Sequence, residues 1–221
     1  MCGRFTNGAD PAAVAEAYGL ALPGDWRPRF NIAPGQSMLS VRRTREGADE
    51  AALVRFGLVP AWAKERSIAY KMINARAETL LERPAYRSLL GKGRCLILAD
   101  GFYEWRVGAD GKKEPLRFSL VDRNVFAFAG LWTRWRDRQS GEVLESAAII
   151  TTGPNELVAP VHDRMPVILD DQAEEDWLDS DASLAHALSL LAPYPSGWMS
   201  AHLASRDVNS VRNDHAALLV A

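Results

Sequence analysis

The sequence has few cysteines, no long apolar run and little net charge. Two cysteines among 221 residues provide neither a disulfide framework nor a Cys/His cluster of the zinc type. No apolar run approaches the roughly 18 residues of a transmembrane helix, and Arg4 interrupts the start of the chain where a signal peptide would be apolar. We find no phosphate-binding loop, dinucleotide-binding glycine pattern or internal repeat. These absences predict a cytoplasmic protein with no metal, cofactor or membrane partner.

The small net charge is unevenly distributed. A formal charge of −2 at pH 7 argues against binding nucleic acid by bulk electrostatics. Residues 1–106 carry +5 and the remainder carries −7, so the N-terminal half is the better candidate for an anion-binding surface. With 48% hydrophobic residues, the chain can form one sizeable core, and we expect a single domain over residues 1–221.

The N-terminal stretch Met1-Cys2-Gly3-Arg4 carries the strongest chemical signal. An aminopeptidase is expected to remove Met1, which leaves Cys2 with an α-amine and a thiol on one carbon. Their ordinary pKa values, roughly 8 and 8.5, leave some unprotonated amine and a little thiolate near neutral pH. The amine can condense with an aldehyde and the thiol can close onto the imine. Alternatively, the thiol can attack an acyl carbon with the amine as its base.

Turn and cap signals predict a mainly antiparallel, curved sheet with few helices. A short helix is expected to begin after Asp10, with Pro11 first, and to stop at Gly19. Further helices are expected at 78–90, at Trp177 after an Asp170 or Asp171 cap, and at 182–191 after an Asp181 cap. Expected strands lie at 38–43, 51–57, 94–105, 115–121, 125–132, 146–152, 166–169 and 198–204.

Three stretches place polar side chains where chemistry could occur. Asn74, Arg76 and Glu78 alternate with alanines, so an extended chain would put them on one face. Glu104 lies among aromatic residues, and partial burial would raise its pKa into the range useful for acid/base catalysis. The alternative is a solvated glutamate on a half-buried strand. Of four histidines, His162 lies between prolines on a constrained loop, although a lone loop histidine is more often inert.

Seven ordered blocks span nearly the whole chain: Met1-Cys2-Gly3-Arg4-Phe5, Asn31-Ile32-Ala33-Pro34, Gly57-Leu58-Val59-Pro60-Ala61-Trp62-Ala63, Ile73-Asn74-Ala75-Arg76-Ala77-Glu78-Thr79, Asp100-Gly101-Phe102-Tyr103-Glu104-Trp105, His162-Asp163-Arg164-Met165-Pro166 and Val208-Asn209. Together they resemble the SOS response-associated peptidase family, whose members process abasic sites and crosslink to damaged single-stranded DNA. One departure is Phe56, where tryptophan is common in the family, and it concerns no catalytic position.

The resemblance implies both a fold and a set of site residues. The implied fold is α+β, with mainly antiparallel, barrel-like sheets and several peripheral helices. The implied catalytic residues are Cys2 as nucleophile, Asn74 holding its amine, Glu104 as acid/base and His162 facing the sugar. Arg4, Pro34, Trp62 and Arg76 match positions where the family touches DNA.

The resemblance also implies a substrate and a reaction. The substrate is single-stranded DNA with an abasic site, bound by a monomer in the cytoplasm and at the nucleoid when DNA is damaged. Cys2 and the ring-opened sugar would form a thiazolidine crosslink, which blocks strand breakage by β-elimination. The family's peptidase name adds removal of whatever precedes Cys2.

Two other classes of function stay open at this point. A glutamine amidotransferase-like hydrolase also begins Met-Cys-Gly, but it would need an oxyanion hole and would not require Glu104. A non-catalytic module that binds single strands would use the aromatic and arginine residues without Cys2. An exposed Trp62 would favour DNA binding, whereas a buried one would be an ordinary core residue.

Overall fold

The structure, a computed structural model, describes residues 2–221, so the expected removal of Met1 lies outside the described residues. The strands are β1 (Phe5–Asn7), β2 (Arg29–Ile32), β3 (Ser37–Arg43), β4 (Asp49–Phe56), β5 (Asn74–Arg76), β6 (Arg94–Ala99), β7 (Gly101–Val107), β8 (Lys113–Leu120), β9 (Phe126–Arg136), β10 (Val143–Thr152), β11 (Met165–Pro166), β12 (Ile168–Leu169) and β13 (Met199–Leu203). The α-helices are α1 (Pro11–Tyr18), α2 (Pro84–Arg87), α3 (Asp171–Leu178) and α4 (Leu184–Ser189). Short 3-10 helices lie at Arg66–Lys71, Ala77–Thr79, Ser196–Trp198, Arg206–Asn209 and Ala216–Leu219.

The strands form two sheets, one of which closes on itself. The smaller sheet has the antiparallel order β13-β8-β7-β1-β2. In the larger sheet, β10 pairs with β9 on one side and with β4 and β5 on the other, so β10, β4, β3, β6 and β9 form a ring. The pairings of β10 with β4 and β5 are parallel, and the others in this ring are antiparallel. The predicted α+β fold with mainly antiparallel, barrel-like sheets is therefore confirmed.

An aromatic core joins the two sheets. The ring of Phe5, in the smaller sheet, meets the rings of Phe56 and Phe128 edge-on, with centroids 5.7 Å apart in each pair. All three side chains are completely buried, and each contributes about 1.5 to 3 kcal/mol through burial. Cys2 belongs to the same cluster of buried side chains. Cys2 and Phe5 are thus held in the interior by the same packing.

Local capping explains why α1 has the predicted bounds. The side chain of Asp10 accepts hydrogen bonds from the N–H groups of Ala12 and Ala13, and Gly19 ends the helix in the left-handed conformation at φ 62°. The strands predicted at 38–43 and 51–57 overlap β3 and β4, which pair antiparallel along their whole lengths. No helix within residues 2–221 is long and apolar enough to cross a membrane.

Two predicted helices are wrong in extent. Residues 78–90 form the 3-10 turn Ala77–Thr79 and the short α2, not one helix. Pro84 lacks an N–H and restricts the preceding residue, so Arg83 is extended at φ −95° and ψ 109° and a continuous helix cannot pass. The helix predicted over 182–191 begins later, at Leu184, because the Ser183 side chain, not that of Asp181, caps it.

Of the three polar residues predicted to share one face, Asn74, Arg76 and Glu78, only the first two do so. Asn74 and Arg76 lie two residues apart in β5, on either side of the buried Ala75. Glu78 lies in the following 3-10 turn, where it forms an ion pair with Arg164.

Replacement of Gly57 by alanine should lower the free energy of unfolding by about 3 kcal/mol. Gly57 has a φ of 115°, and a Cβ atom there would lie 2.7 Å from the carbonyl oxygen of Ala69. Denaturant unfolding measures the loss. The control is Gly24→Ala, at an exposed position where a Cβ atom meets nothing within 4 Å. Equal stability of the two variants would contradict this account of Gly57.

Candidate functional site

Cys2 lies at the buried end of the smaller sheet, beside Glu104. β1 pairs with β7 through Phe5 and Phe102, and the N–H of Tyr103 donates to the carbonyl oxygen of Arg4 at 2.9 Å. This antiparallel register brings the residues before Phe5 alongside Glu104. Burial raises the pKa of the Cys2 thiol well above its usual range, and the negative charge of Glu104 raises it further. The thiol is therefore neutral near pH 7 and is a weak initial nucleophile.

Asn74 connects Cys2 to the larger sheet. β5 pairs parallel to β10 with Asn74 opposite Ile149, and the Asn74 Nδ2 group donates to the carbonyl oxygen of Cys2 at 3.1 Å. The hydroxyl of Tyr86 donates to the carbonyl oxygen of Asn74 at 3.1 Å, and burial raises the pKa of Tyr86 to about 12, so this donor stays protonated. The Asn74 Oδ1 atom is buried and has no hydrogen-bond partner among residues 2–221.

A buried acceptor without a partner costs about 1 to 3 kcal/mol. A donor group that reached the Oδ1 atom of Asn74 would recover this energy. The amide is thus suited to hold an amine that lies next to the carbonyl oxygen of Cys2, to which its Nδ2 group already donates.

Glu104 is a buried carboxyl group on β7. Only 4% of the residue is exposed, so the alternative of a solvated glutamate does not hold. Its aromatic neighbours alternate between two clusters, because Phe102 packs in the core between the sheets while Tyr103 and Trp105 pack in a different cluster. Burial raises the pKa of Glu104 to about 7, and the negative charge of Asp163 acts in the same direction. Both protonation states are therefore populated near neutral pH, as acid/base catalysis requires.

His162 lies on the loop between β10 and β11, with about a quarter of its side chain exposed. Its Nδ1 atom accepts a hydrogen bond from the N–H of Arg164 at 3.0 Å, and burial lowers the pKa of His162. The neutral ring with its proton on Nε2 is therefore the main form at pH 7. The Asp163 carboxylate lies 3.0 Å from the same Nδ1 atom and can form an ion pair only with the protonated ring.

A shallow cavity brings Glu104 and His162 together. It is lined by Arg4, Glu104, Trp105, Lys113, His162 and Asn209. Each of the four predicted catalytic residues is therefore connected to at least one other. Asn74 donates a hydrogen bond to the carbonyl oxygen of Cys2, the charge of Glu104 raises the pKa of the Cys2 thiol, and Glu104 lines the same cavity as His162.

Arg4 is partly occupied by contacts within the protein. Its Nη1 atom donates to the Asn31 Oδ1 atom and to the carbonyl oxygen of Val208, both at 2.7 Å. The guanidinium lies 5.7 Å from the centroid of the Trp105 ring. The Nδ2 group of Asn31 in turn donates to three carbonyl groups of the C-terminal segment 208–213. These contacts fix the backbone just after Cys2.

A second, more basic cavity adjoins Asn74. It is lined by Trp62, Lys71, Met72, Asn74, Arg76, Thr79, Arg83, Pro84, Ala85 and Tyr86, with no acidic residue among them. Trp62 is 61% exposed, so it is not an ordinary core residue. Arg76 is exposed in the same cavity. Pro34 lies outside both cavities, half-buried in the turn between β2 and β3.

Three basic residues in these cavities carry no site signal in the sequence motifs: Lys71, Arg83 and Lys113. Asn209, which also lines the first cavity, belongs to the last of the seven blocks. A local signal existed for Lys113, because the Asp110-Gly111 turn pairs Val107 with Lys113 and so brings it back along β7. In the described part of the chain, no three His, Cys, Asp or Glu side chains form a group that could hold a metal ion.

The sequence and the fold are both similar to those of known proteins. The profile of the family described as SOS response associated peptidase matches residues 1–211. Similar proteins include the abasic site processing protein YoqW of Bacillus subtilis, 43% identical, and YedK of Escherichia coli, 30% identical, each with 99% of both chains covered. The abasic site processing protein HMCES of Gallus gallus is 34% identical over 89% of this chain and 67% of its own. A crystal structure from Bacteroides thetaiotaomicron has a TM-score of 0.88 and 27% identity, and covers 99% of this chain and 98% of that one.

Proposed function

The chain belongs to the SOS response associated peptidase family, and on this premise we propose that it captures abasic sites in single-stranded DNA through a covalent bond to Cys2. One observation carries the proposal. Cys2, which becomes N-terminal once Met1 is removed, lies near a buried carboxyl group with a pKa of about 7 and accepts a hydrogen bond from an amide whose buried oxygen has no partner among residues 2–221. Abasic sites carry an aldehyde when the sugar ring is open, and such an aldehyde is the electrophile that this arrangement suits.

The first step is addition of the Cys2 amine to C1′ of the sugar. Because burial keeps the thiol protonated, the amine is the better initial nucleophile once Met1 has been removed. The Oδ1 atom of Asn74 accepts a hydrogen bond from this amine and directs its lone pair toward the sugar. Attack at the aldehyde carbon gives a carbinolamine.

Proton transfer by Glu104 drives the next step. Its protonated form donates to the carbinolamine hydroxyl, which leaves as water and gives an iminium ion that keeps its N–H proton. The ionised carboxylate then takes the thiol proton as sulfur attacks the iminium carbon, and the C=N electron pair returns to nitrogen, which becomes neutral. The product is a thiazolidine, and the net change is the loss of one water molecule. His162 donates from Nε2 to the sugar oxygen that ring opening releases.

The two cavities supply a route for the strand across Cys2. Trp62 can stack on a base next to the lesion, and such stacking contributes ~1 to 3 kcal/mol per base. The basic side chains of the second cavity, Lys71, Arg76 and Arg83, can contact phosphates. Arg4 and Pro34 lie on the other side in the proposed complex. Contacts of this kind read the backbone, so sequence preference should be slight and salt dependence clear.

The family description also names a peptidase activity. We propose that the same groups remove residues that precede Cys2, which exposes the amine.

Replacement of Arg76 by alanine should weaken binding to abasic and intact single strands alike, by about tenfold, because a hydrogen bond to a charged group is worth ~1.5 kcal/mol at an exposed site. The slope of log affinity against log salt should fall by about 1. Fluorescence anisotropy measures both quantities. The control is Arg45→Ala, at an exposed turn residue remote from both cavities. A loss confined to abasic DNA would instead assign Arg76 to the sugar.

A crosslinking assay tests the proposed function as a whole. Protein lacking Met1 is mixed with three single strands, which carry an abasic site, a tetrahydrofuran analogue without an aldehyde, or an intact base. We expect binding to all three and a heat-stable crosslinked band only with the abasic site. Binding without a band would favour the non-catalytic module. If the abasic strand gives no band and glutamine is hydrolysed, the amidotransferase alternative is the better description.

A further inference from the structure

A bidentate ion pair links the two segments that carry Asn74 and His162. The Nη1 and Nη2 atoms of Arg164 lie 2.7 and 2.9 Å from the two carboxylate oxygens of Glu78. Glu78 follows β5, the strand of Asn74, by two residues, and Arg164 follows His162 by two residues. The two partners are 86 residues apart in the sequence.

Arg164 also makes contacts that orient the His162 loop. Its Nη2 atom donates to the carbonyl oxygen of Thr151 at 2.6 Å, close to the end of β10. Its backbone N–H donates to the Nδ1 atom of His162 at 3.0 Å and so favours the ring tautomer with the proton on Nε2, against the Asp163 carboxylate, which lies 3.0 Å from the same atom and favours a proton on Nδ1. Arg164 thus connects the His162 loop to β10 and to the turn of Glu78, and it also holds the imidazole ring.

We propose that Glu78 and Arg164 are a positioning pair that holds His162 in its orientation and tautomer, a role that rests on the proposed function. Neither residue needs to touch the sugar for this role. The Arg164 side chain is only 12% exposed, and both carboxylate oxygens of Glu78 accept hydrogen bonds from it. Two parallel hydrogen bonds fix the orientation of the guanidinium group and its distance from the carboxylate.

The pair should affect rate more than stability. The Glu78 side chain is 52% exposed, and an exposed ion pair contributes little to folding because water and salt screen it. A catalytic arrangement is more sensitive, since a small displacement of a proton donor slows the reaction strongly.

A double-mutant cycle tests the proposal. Glu78→Gln and Arg164→Gln should each slow crosslinking at saturating protein by about tenfold, and the double variant should be no slower than either single one, because the two residues act as a unit. Affinity for the tetrahydrofuran strand should change by less than about twofold. Arg164→Lys keeps the charge but lacks the fork, so it should be as slow as Arg164→Gln.

Asp49→Asn is the matched control. Asp49 faces Arg43 with both oxygens, at 2.9 and 3.1 Å, on the hairpin of β3 and β4 away from Cys2. Its loss should leave the crosslinking rate unchanged. Multiplicative rate losses in the double variant would overturn the proposal. So would weaker DNA binding by Arg164→Gln with normal binding by Glu78→Gln, since that result would make Arg164 a phosphate contact.

A measurement without DNA separates this proposal from the proposed function. The ¹⁵N chemical shifts of the His162 ring should report the Nε2–H tautomer in the unaltered protein and a mixture of tautomers in Glu78→Gln. Identical shifts in the two proteins would overturn the positioning role, whether or not the unaltered protein crosslinks to abasic DNA.

Discussion

Replacing Cys2 with alanine should abolish the heat-stable crosslink to abasic single-stranded DNA, with a loss on the order of a thousandfold or more. The variant keeps an α-amine, so it can still form an imine, but it has no thiol to close the ring. Imines hydrolyse readily, and heat should therefore separate protein from DNA. Borohydride reduction before heating should trap the imine and recover a band, which a denaturing gel would detect.

Two further variants make this result specific. Cys2→Ser retains a hydroxyl group but should also give a heat-labile adduct, because a hydroxyl is a far weaker nucleophile toward the imine than a thiol. Cys95→Ala removes the other cysteine, which is completely buried in β6 and should leave crosslinking intact. A heat-stable band from Cys2→Ala without borohydride would contradict the assignment of Cys2.

Replacing Glu104 with glutamine should slow crosslinking by about a hundredfold, the lower end of the range for general acid/base catalysis. Affinity for the tetrahydrofuran strand should hardly change, since Glu104 is buried beneath the cavity and carries no positive charge for a phosphate. The rate at saturating protein and the dissociation constant together separate these effects. Equal loss of rate and affinity would show that Glu104 supports binding instead of proton transfer.

The pH dependence of the rate gives a second signature of Glu104. The pKa of Glu104 is about 7, so its acid form is lost as pH rises through about 7. Loss of water from the carbinolamine needs the acid, whereas the Cys2 amine must be unprotonated, so the unaltered protein should give a bell-shaped profile. In Glu104→Gln the fall on the alkaline side should disappear. A pH profile of unchanged shape in this variant would show that Glu104 takes no part in the rate-limiting proton transfer.

The same pKa predicts an effect on stability. An unfolded glutamate has a pKa of about 4.3, so between that value and about 7 the folded state holds more protons than the unfolded state. The contribution of Glu104 to stability is therefore complete below about pH 4 and is lost as pH rises through 7. Glu104→Gln should be more stable than the unaltered protein at pH 8, by on the order of 1 to 3 kcal/mol.

Local signals in the sequence were enough to predict much of the fold. Asp10 and Gly19 define a helix through their own hydrogen bonds and backbone conformation, and β3 and β4 are joined by a short turn. Closure of the ring depends instead on the parallel pairing of β10 with β4. β4 ends at Phe56 and β10 begins at Val143, so no local pattern could predict their register. The error at 78–90 had a local cause, since Pro84 already marked the end of any helix from Glu78.

The candidate site was predictable to a similar degree. Cys2, Glu104 and His162 each stand out through their neighbours in the sequence, and the family resemblance joined them to Asn74. Lys71 and Arg83 do not stand out, because their interest comes from lining one cavity with Asn74. The contact between Glu78 and Arg164 likewise depends on tertiary structure, since 86 residues separate them.

The mass of the crosslinked N-terminal peptide tests the central claim most directly. The crosslink is digested with protease and nuclease, treated with iodoacetamide and analysed by tandem mass spectrometry. We expect a peptide that begins at Cys2, carries the sugar with the loss of one water molecule and has no alkylated thiol, because sulfur and nitrogen both bond to C1′. A sugar attached to a lysine, or a Cys2 adduct whose thiol is still alkylated, would contradict it.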